Sequence, residues 1–133
     1  DYCFATKYAS VKLSELSIGI GPFVVGPPIE RKIGLAAFSQ LTINATEWQS
    51  AQWAKEKGLF AEMYESSEEM DASILTLAKK LASSNPDSMR GLKQVMWEGT
   101  DHWDILLMKR AAMSGKGVLS DFTRETLARL KQG

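Results

Sequence analysis

The sequence predicts an α/β chain that is predominantly helical, and three observations support this. Strand-like segments occur only in the first half, up to about residue 66. From residue 67 onwards, apolar residues recur at helical spacing. The composition is that of an ordinary folded chain, with 133 residues, of which 44% are hydrophobic and 24% are charged. We therefore expect a strand-containing part over residues 1–66 and a helical part over residues 67–133.

The first elements are short. One or two strands are predicted over Asp1–Leu16, which is rich in aromatic and β-branched residues. A loop with glycine and proline follows over Ser17–Pro28. The two prolines at its end fix φ values that suit a helix start, so a helix is predicted from about Pro28 to Leu41, with Gly34 as a candidate interruption.

A second helix is predicted with Thr46 as its N-cap and Gly58 as the left-handed residue at its end. The residues at helical spacing within it are Trp48, Ala51, Ala54 and Lys55. The alternation over Leu59–Tyr64 then predicts a short strand.

The second half is predicted to be helical throughout. Residues 66–69 resemble a helix N-terminus with acids in the first turn, and Asn85-Pro86 separates this helix from the next. The third helix of this half is expected to end at Gly115 and Gly117. The last helix is expected to begin at Leu119 or Ser120. The apolar stripes are Met70, Ile74, Leu77, Ala78 and Leu81; Met89, Leu92, Val95 and Met96; Trp103, Leu106 and Leu107; and Phe122, Leu127 and Leu130. These faces exceed what one short chain covers, so we expect association with other chains.

Net charge and cysteine content narrow the function classes. Sixteen basic residues balance sixteen acidic ones, so no overall field favours nucleic acid or an anionic membrane. The single cysteine, Cys3, excludes an internal disulfide framework and fits a reducing compartment. The longest apolar run, Ile18–Ile29, is too short and too broken to span a bilayer. We therefore expect a cytoplasmic protein without a nucleic-acid or membrane partner.

Glu15 is the carboxylate best suited to acid–base chemistry, because an extended segment enters a loop of apolar residues and glycines there. A carboxyl group flanked by apolar surface loses hydration of its charged form, which suits it to proton transfer near neutral pH. The alternative is an exposed Glu at a strand end, since most carboxylates are solvated. The residues by themselves leave both interpretations open.

The loop glycines Gly19, Gly21 and Gly26 precede a helix, as in phosphate-binding loops. Their spacing fits neither a P-loop nor a dinucleotide motif, and no Lys-Ser or Lys-Thr pair follows. The loop is therefore interpreted as an apolar wall for a substrate or as a packed turn.

The other candidate residues are weaker. His102, the only histidine, lacks partners for a triad or a metal site, so a helix-capping or surface role is expected. Cys3 is expected to be a buried, inert thiol in an apolar strand. The four tryptophans are expected on helices, in the core or at an interface. The basic residues of the second half are expected on solvated faces, where one or two could meet a phosphate group.

The segment around Glu15 resembles the crotonase superfamily, the enoyl-CoA hydratases and isomerases. The matching segments are Leu13-Ser14-Glu15, Gly19-Ile20-Gly21-Pro22, Gly26, Arg31-Lys32-Ile33-Gly34, Ala51–Lys57 and Gly58-Leu59-Phe60. Ser84-Asn85-Pro86 with Lys93 resembles a later helix start of the family. The likeness covers nearly the whole chain and is strongest over residues 1–60.

The resemblance implies the C-terminal half of a crotonase fold: residues 1–66 complete the ββα spiral of the core, and residues 67–133 form a helical trimerisation region. It implies an enoyl-CoA substrate that reacts through a thioester enolate, with Glu15 as the family's second glutamate. No metal and no cofactor is implied besides the coenzyme A of the substrate. The implied assembly is a trimer or hexamer. Because the family's oxyanion glycine and first glutamate fall before Asp1, these 133 residues alone are expected to be inactive.

The implied substrate contacts lie beside Glu15. They are Ser14, Ile18, Pro22, Phe23 and Val24. Residues 23–28 replace the family's Gly-Gly-Thr-Gln after the proline and make this segment one residue shorter. Phe23 and Val24 are therefore expected to narrow the acyl pocket. Residues 122–131 only loosely resemble the helix that offers a basic residue to the CoA phosphate, and no single cation is assigned.

Two questions stay open at the level of sequence. The sequence does not distinguish an enzyme that hydrates an enoyl-CoA from one that isomerises it. The alternative class is a non-catalytic helical module for oligomerisation or interaction.

Overall fold

A computed structural model describes residues 1–131 and confirms a mixed first half followed by a helical second half. The strands are β1 Phe4–Thr6, β2 Ser10–Val11, β3 Gln49–Ser50 and β4 Glu62–Tyr64. The helices are α1 Gly26–Ile43, α2 Ala51–Glu56, α3 Ser67–Ala82, α4 Pro86–Met96, α5 Trp103–Val118 and α6 Asp121–Leu130. A 3₁₀ helix covers Glu15–Ile18, between β2 and α1.

Two small sheets bring the ends of the first half together. Strand β1 pairs in parallel with β4, with Phe4 opposite Glu62 and Thr6 opposite Tyr64. A parallel pair needs a crossover connection, which here includes α1 and α2. Strand β2 pairs antiparallel with β3. Helix α3 packs against both β1 and β4, so the second half begins on this sheet.

The core is small and lies in the first half. The buried apolar residues are Ala5, Leu13, Ala37, Leu41, Ala45, Ala51 and Ala54. Helices α3, α4 and α5 contain no buried residue, whereas Thr123 on α6 is fully buried. Large apolar side chains of the second half are exposed, as expected, including Leu92 at 58% and Met108 at 73%. Within this chain, the helical half therefore buries little of its own apolar surface.

The interruption expected at Gly34 is confirmed. Gly34 has a φ of 77° and a ψ of 161°, a conformation that side chains rarely adopt, and it kinks α1. The helix begins two residues before Pro28 and continues two residues past Leu41.

The predicted start of the second helix is wrong. Ser50, not Thr46, is the N-cap of α2, and its Oγ accepts a hydrogen bond from the backbone N–H of Trp53 at 3.1 Å. Because β3 pairs with β2, the chain stays extended through Ser50. Trp48 thus precedes the helix, is 61% exposed, and lies 4.4 Å from the Nζ of Lys12, measured to the ring centroid.

The other boundaries follow the sequence signals with two exceptions. Ser66, Asn85 and Ser120 each cap a helix through their side chains, and Gly58 has the expected positive φ of 81°. Of the predicted strand over 59–64, only Glu62–Tyr64 pairs. Helix α5 does not stop at its glycines but continues to Val118. A glycine inside a helix costs only about 1 kcal/mol, so it weakens a helix without ending it.

A hydrogen-bonded cluster ties the start of the chain to β4. The hydroxyls of Tyr2 and Tyr64 both donate to the carboxylate of Glu62, and Tyr64 also contacts the hydroxyl of Ser73. The hydrogen bonds from Tyr2 and then Tyr64 lower the pKa of Glu62 below its ordinary value of 4.5. The same hydrogen bonds to Glu62 raise the pKa of both tyrosines.

Replacing Glu62 by Gln is expected to reduce the acid sensitivity of the fold. Because the pKa of Glu62 is lower in the folded state, its carboxylate stabilises the fold above the unfolded pKa, and this stability is lost as pH falls through the folded pKa. Thermal unfolding from about pH 7 to about pH 3 should show a smaller drop in Tm for the variant than for the original protein.

Glu65→Gln is the matched control for this experiment. Glu65 follows the same strand and pairs with Lys7 in an exposed ion pair, which contributes little to stability. An equal flattening of the pH profile by both variants would show that Glu62 has no special part in it.

Candidate functional site

Glu15 opens the 3₁₀ helix directly after the buried Leu13. Gly19 ends this helix with a φ of 82°, and its N–H donates to the carbonyl of Leu16 at 3.1 Å. The N–H of Ile20 donates to the carbonyl of Glu15 at 3.0 Å. This tight turn connects Glu15 to the loop at residues 20–25, which lines the same cavity as Glu15.

The cavity at Glu15 has a volume of about 360 Å³. Its lining residues are Glu15, Ile20, Gly21, Pro22, Phe23, Val24, Val25 and Ser114. Glu15 and Ser114 are the two with polar side chains. Ligand sites are typically apolar clefts of about 300–1,000 Å³ with a few polar groups. Other cavities of the structure have similar volumes, so the carboxyl group and not the volume distinguishes this one.

One carboxylate oxygen of Glu15 lacks a partner. Its Oε2 is buried and makes no hydrogen bond within residues 1–131. Burial of an unpaired polar atom is costly, so an atom of this kind in a native protein needs an explanation, of which a catalytic role is one. Glu15 is half-buried and not exposed at a strand end.

The structure brings three of the five expected substrate contacts to the cavity: Pro22, Phe23 and Val24. Ser14 and Ile18 flank Glu15 in sequence but do not line the cavity; Ser14 is exposed, and its carbonyl accepts from the hydroxyl of Ser17 at 2.6 Å. All five assignments stay predictions, because no bound ligand defines the contacts.

Phe23 occupies its place because residue 21 is glycine. A Cβ atom on Gly21 would lie 2.3 Å from the ring Cζ of Phe23, so the ring would have to shift. The ring therefore rests directly on the backbone of the loop and fills space beside Glu15.

Sequence reasoning missed the part of the site that comes from the last two helices. Ser114 of α5 lines the cavity, and a Cβ on Gly117 would be 3.3 Å from the carbonyl oxygen of Gly19. A Cβ on Gly19 would in turn lie 2.5 Å from the ring of Phe122 and 2.6 Å from the hydroxyl of Thr123, both on α6. The signal in the sequence was the pair Ser114 and Gly117, two small residues three apart on one helix face. Such a pair indicates that another segment packs closely on the helix but does not identify that segment.

The weaker candidates do not join this site. His102 is exposed at the N-cap position of α5, without a side-chain capping bond. The prediction of Cys3 as a buried strand residue is wrong: Cys3 is half-buried and precedes β1. The basic residues of the second half are exposed as expected, except Arg110, which lines a groove with Glu30.

The described part of the chain was also compared with the requirements of a metal cluster and of a membrane-spanning helix. Residues 1–131 contain no group of three His, Cys, Asp or Glu side chains that could hold a metal ion. No helix among them is long and apolar enough to cross a membrane.

Solved structures share this fold. An enoyl-CoA hydratase/isomerase from Pseudoalteromonas atlantica T6c matches with a TM-score of 0.88 and 19% identity, over 99% of this chain and 53% of its own. An enoyl-CoA hydratase from Mycobacterium avium matches with a TM-score of 0.87 and 25% identity, over 99% and 52%. A putative polyketide biosynthesis enoyl-CoA hydratase from Bacillus subtilis matches with a TM-score of 0.85 and 24% identity, over 99% and 51%.

The chain therefore spans about half the length of these structures. A search of curated proteins gave no significant match in sequence. The family model for enoyl-CoA hydratase/isomerase matches residues 1–121 of the 133. Both the crotonase resemblance and the expected fold class are confirmed, and the chain belongs to the enoyl-CoA hydratase/isomerase family.

Proposed function

We propose that this chain is the C-terminal half of an enzyme that hydrates an enoyl-CoA or shifts its double bond. The observation that carries the proposal is Glu15 itself: it lines an apolar cavity and has one buried, unpartnered carboxylate oxygen, in a chain of this family. We call the protein that joins this chain to the remaining half the complete enzyme.

Glu15 is proposed to move a proton at the acyl chain. In hydration, the oxygen of water bonds to the β carbon of the enoyl thioester and the water gives up a proton. A proton then adds to the α carbon of the enolate, so that H and OH are added in total. In isomerisation, a proton leaves one carbon beside the double bond and returns at the other end of the enolate system. A half-buried carboxyl group suits either transfer. The enolate oxygen needs hydrogen-bond donors, which we assign to the remaining half.

The apolar lining is proposed to hold the acyl chain. Pro22, Phe23 and Val24 present carbon surface next to Glu15, and apolar burial contributes about 25 cal/mol per Å². This arrangement needs neither a metal nor a cofactor besides the CoA thioester itself. Residues 1–133 alone should be inactive, since half of the site is missing.

The test is turnover of an enoyl-CoA by the complete enzyme, by its Glu15→Gln variant and by residues 1–133 alone. We expect full turnover from the first, turnover lowered at least about a hundredfold in the variant, and none from residues 1–133 alone. Full activity in the variant would refute the role of Glu15, and activity of residues 1–133 alone would refute the division of the site between two halves.

Self-association is proposed as well, with three or six copies in the complete enzyme. Its support is the exposed apolar surface of α4 and α5, where Val95 and Ile105 are each 60% exposed. Light scattering should give a mass of three or six chains. A monomeric mass at micromolar concentration would contradict this proposal.

A further inference from the structure

A groove between α3 and α4 is lined by apolar side chains that residues 1–131 leave open to solvent. Its volume is about 420 Å³. The apolar lining residues are Leu77 and Leu81 of α3 and Met89, Leu92 and Met96 of α4. They recur at helical spacing, so each helix lines the groove with one apolar stripe. Leu92 is 58% exposed, and Leu81 and Met96 are each 44% exposed.

Helix α4 is too short to be stable without packing on this stripe. An isolated helix of fewer than about 12–15 residues is marginal in water, and tertiary packing of the apolar face supplies most of its stability. Helix α4 has 11 residues, none of them buried. Polar contacts hold its C-terminal end: Lys93 and Trp97 both donate to the carboxylate of Asp1, the indole Nε1 at 2.7 Å. Arg31 donates to the carbonyl of Met96 at 2.7 Å.

We infer that the segment directly preceding Asp1 in the complete enzyme covers this groove. The inference rests on the complete enzyme of the proposed function but not on the role of Glu15. Asp1 itself lines the groove, and Lys32 donates to its carbonyl at 3.2 Å, so the preceding segment starts at the groove wall. A tethered segment has a high effective concentration at such a site, which favours it over a second copy. The matched structures are about twice as long as this chain, which leaves enough chain for the purpose.

The charges at the groove predict an apolar occupant. Among the lining residues, Asp1 and Lys93 are the charged ones, and they form an ion pair with each other. The hydroxyl of Tyr2, the remaining polar side chain of the lining, donates to Glu62. A charge on the occupant would therefore lack a free partner in the described lining and would be costly to bury. The preceding segment is expected to place hydrocarbon side chains on the groove.

The test is photo-crosslinking in the complete enzyme, with benzoylphenylalanine in place of Leu92. After irradiation, mass spectrometry should find position 92 joined to residues directly before Asp1, in a chain that keeps the mass of one chain on a denaturing gel. Benzoylphenylalanine in place of Val95 is the matched control, because Val95 lies on the same helix and is 60% exposed but does not line the groove. It should not give this product.

Leu92→Ala provides a second measurement that avoids the bulky crosslinker. In a covered groove the lost side chain should lower the Tm of the complete enzyme by about 5–15 °C, whereas truncation of a solvated leucine should change it by less than about 2 °C. An unchanged Tm, a crosslink between two chains, or a crosslink only to residues remote from Asp1 would each overturn the inference. Neither readout uses turnover, so both stay decisive if Glu15→Gln keeps full activity and the proposed function fails.

Discussion

Glu15→Gln should lower kcat of the complete enzyme by about a hundredfold to ten-thousandfold, the usual contribution of a positioned acid–base group. Glutamine keeps the size and the carbonyl oxygen of the side chain but cannot exchange a proton near neutral pH. Because Oε2 is buried and has no partner within residues 1–131, the added N–H₂ displaces no protein hydrogen bond there. The substitution should therefore lower kcat without lowering the stability of the fold.

Three measurements separate chemistry from structure. The variant should bind a saturated acyl-CoA within about threefold of the original Kd, because the apolar wall of the cavity is untouched. Its oligomeric mass and Tm should be unchanged. Glu47→Gln, at an exposed position outside the cavity lining, should leave kcat unaltered. If Glu15→Gln had a normal kcat, this half of the complete enzyme would be better described as a non-catalytic module.

The sequence predicts those residues of the site that lie close together along the chain. Glu15 and Pro22–Val24 lie within ten residues, so one local turn at Gly19 brings them to the same cavity. Apolar residues and glycines around one acid are visible in a linear pattern. Glu15 is the charged side chain within this apolar segment, and this identifies it as the candidate residue.

The rest of the site depends on contacts between distant residues. Ser114 reaches the cavity because α6 packs on the 3₁₀ helix and α5 packs on α6. The apolar stripe of a helix does not show which element that face will contact. Strand pairing also outweighed the local preference of Thr46 for a helix N-cap position. The chain there stays extended to form β3 with β2, and the cap moves to Ser50. Capping propensity of about 1 kcal/mol is easily outweighed by such tertiary contacts.

Gly19→Ala should destabilise the complete enzyme by roughly 2–5 kcal/mol and lower its activity. A side chain at a φ of 82° costs about 1–2 kcal/mol, and a Cβ atom there would lie 2.5 Å from the Phe122 ring and 2.6 Å from the Thr123 hydroxyl. Overpacking of this kind adds about 1–3 kcal/mol. Thr123 is fully buried, so it cannot move aside without disturbing α6.

Gly99→Ala provides the comparison, since Gly99 has a similar φ of 79° but no atom within 4 Å of the added Cβ. Its cost in urea unfolding should be about 1–2 kcal/mol, the backbone part alone. Phe122→Ala should recover part of the stability of Gly19→Ala, because the ring is 58% exposed and its removal frees the closest contact. If Gly19→Ala cost no more than Gly99→Ala, α6 would not press on the Glu15 turn. The last helices would then not form a wall of the site.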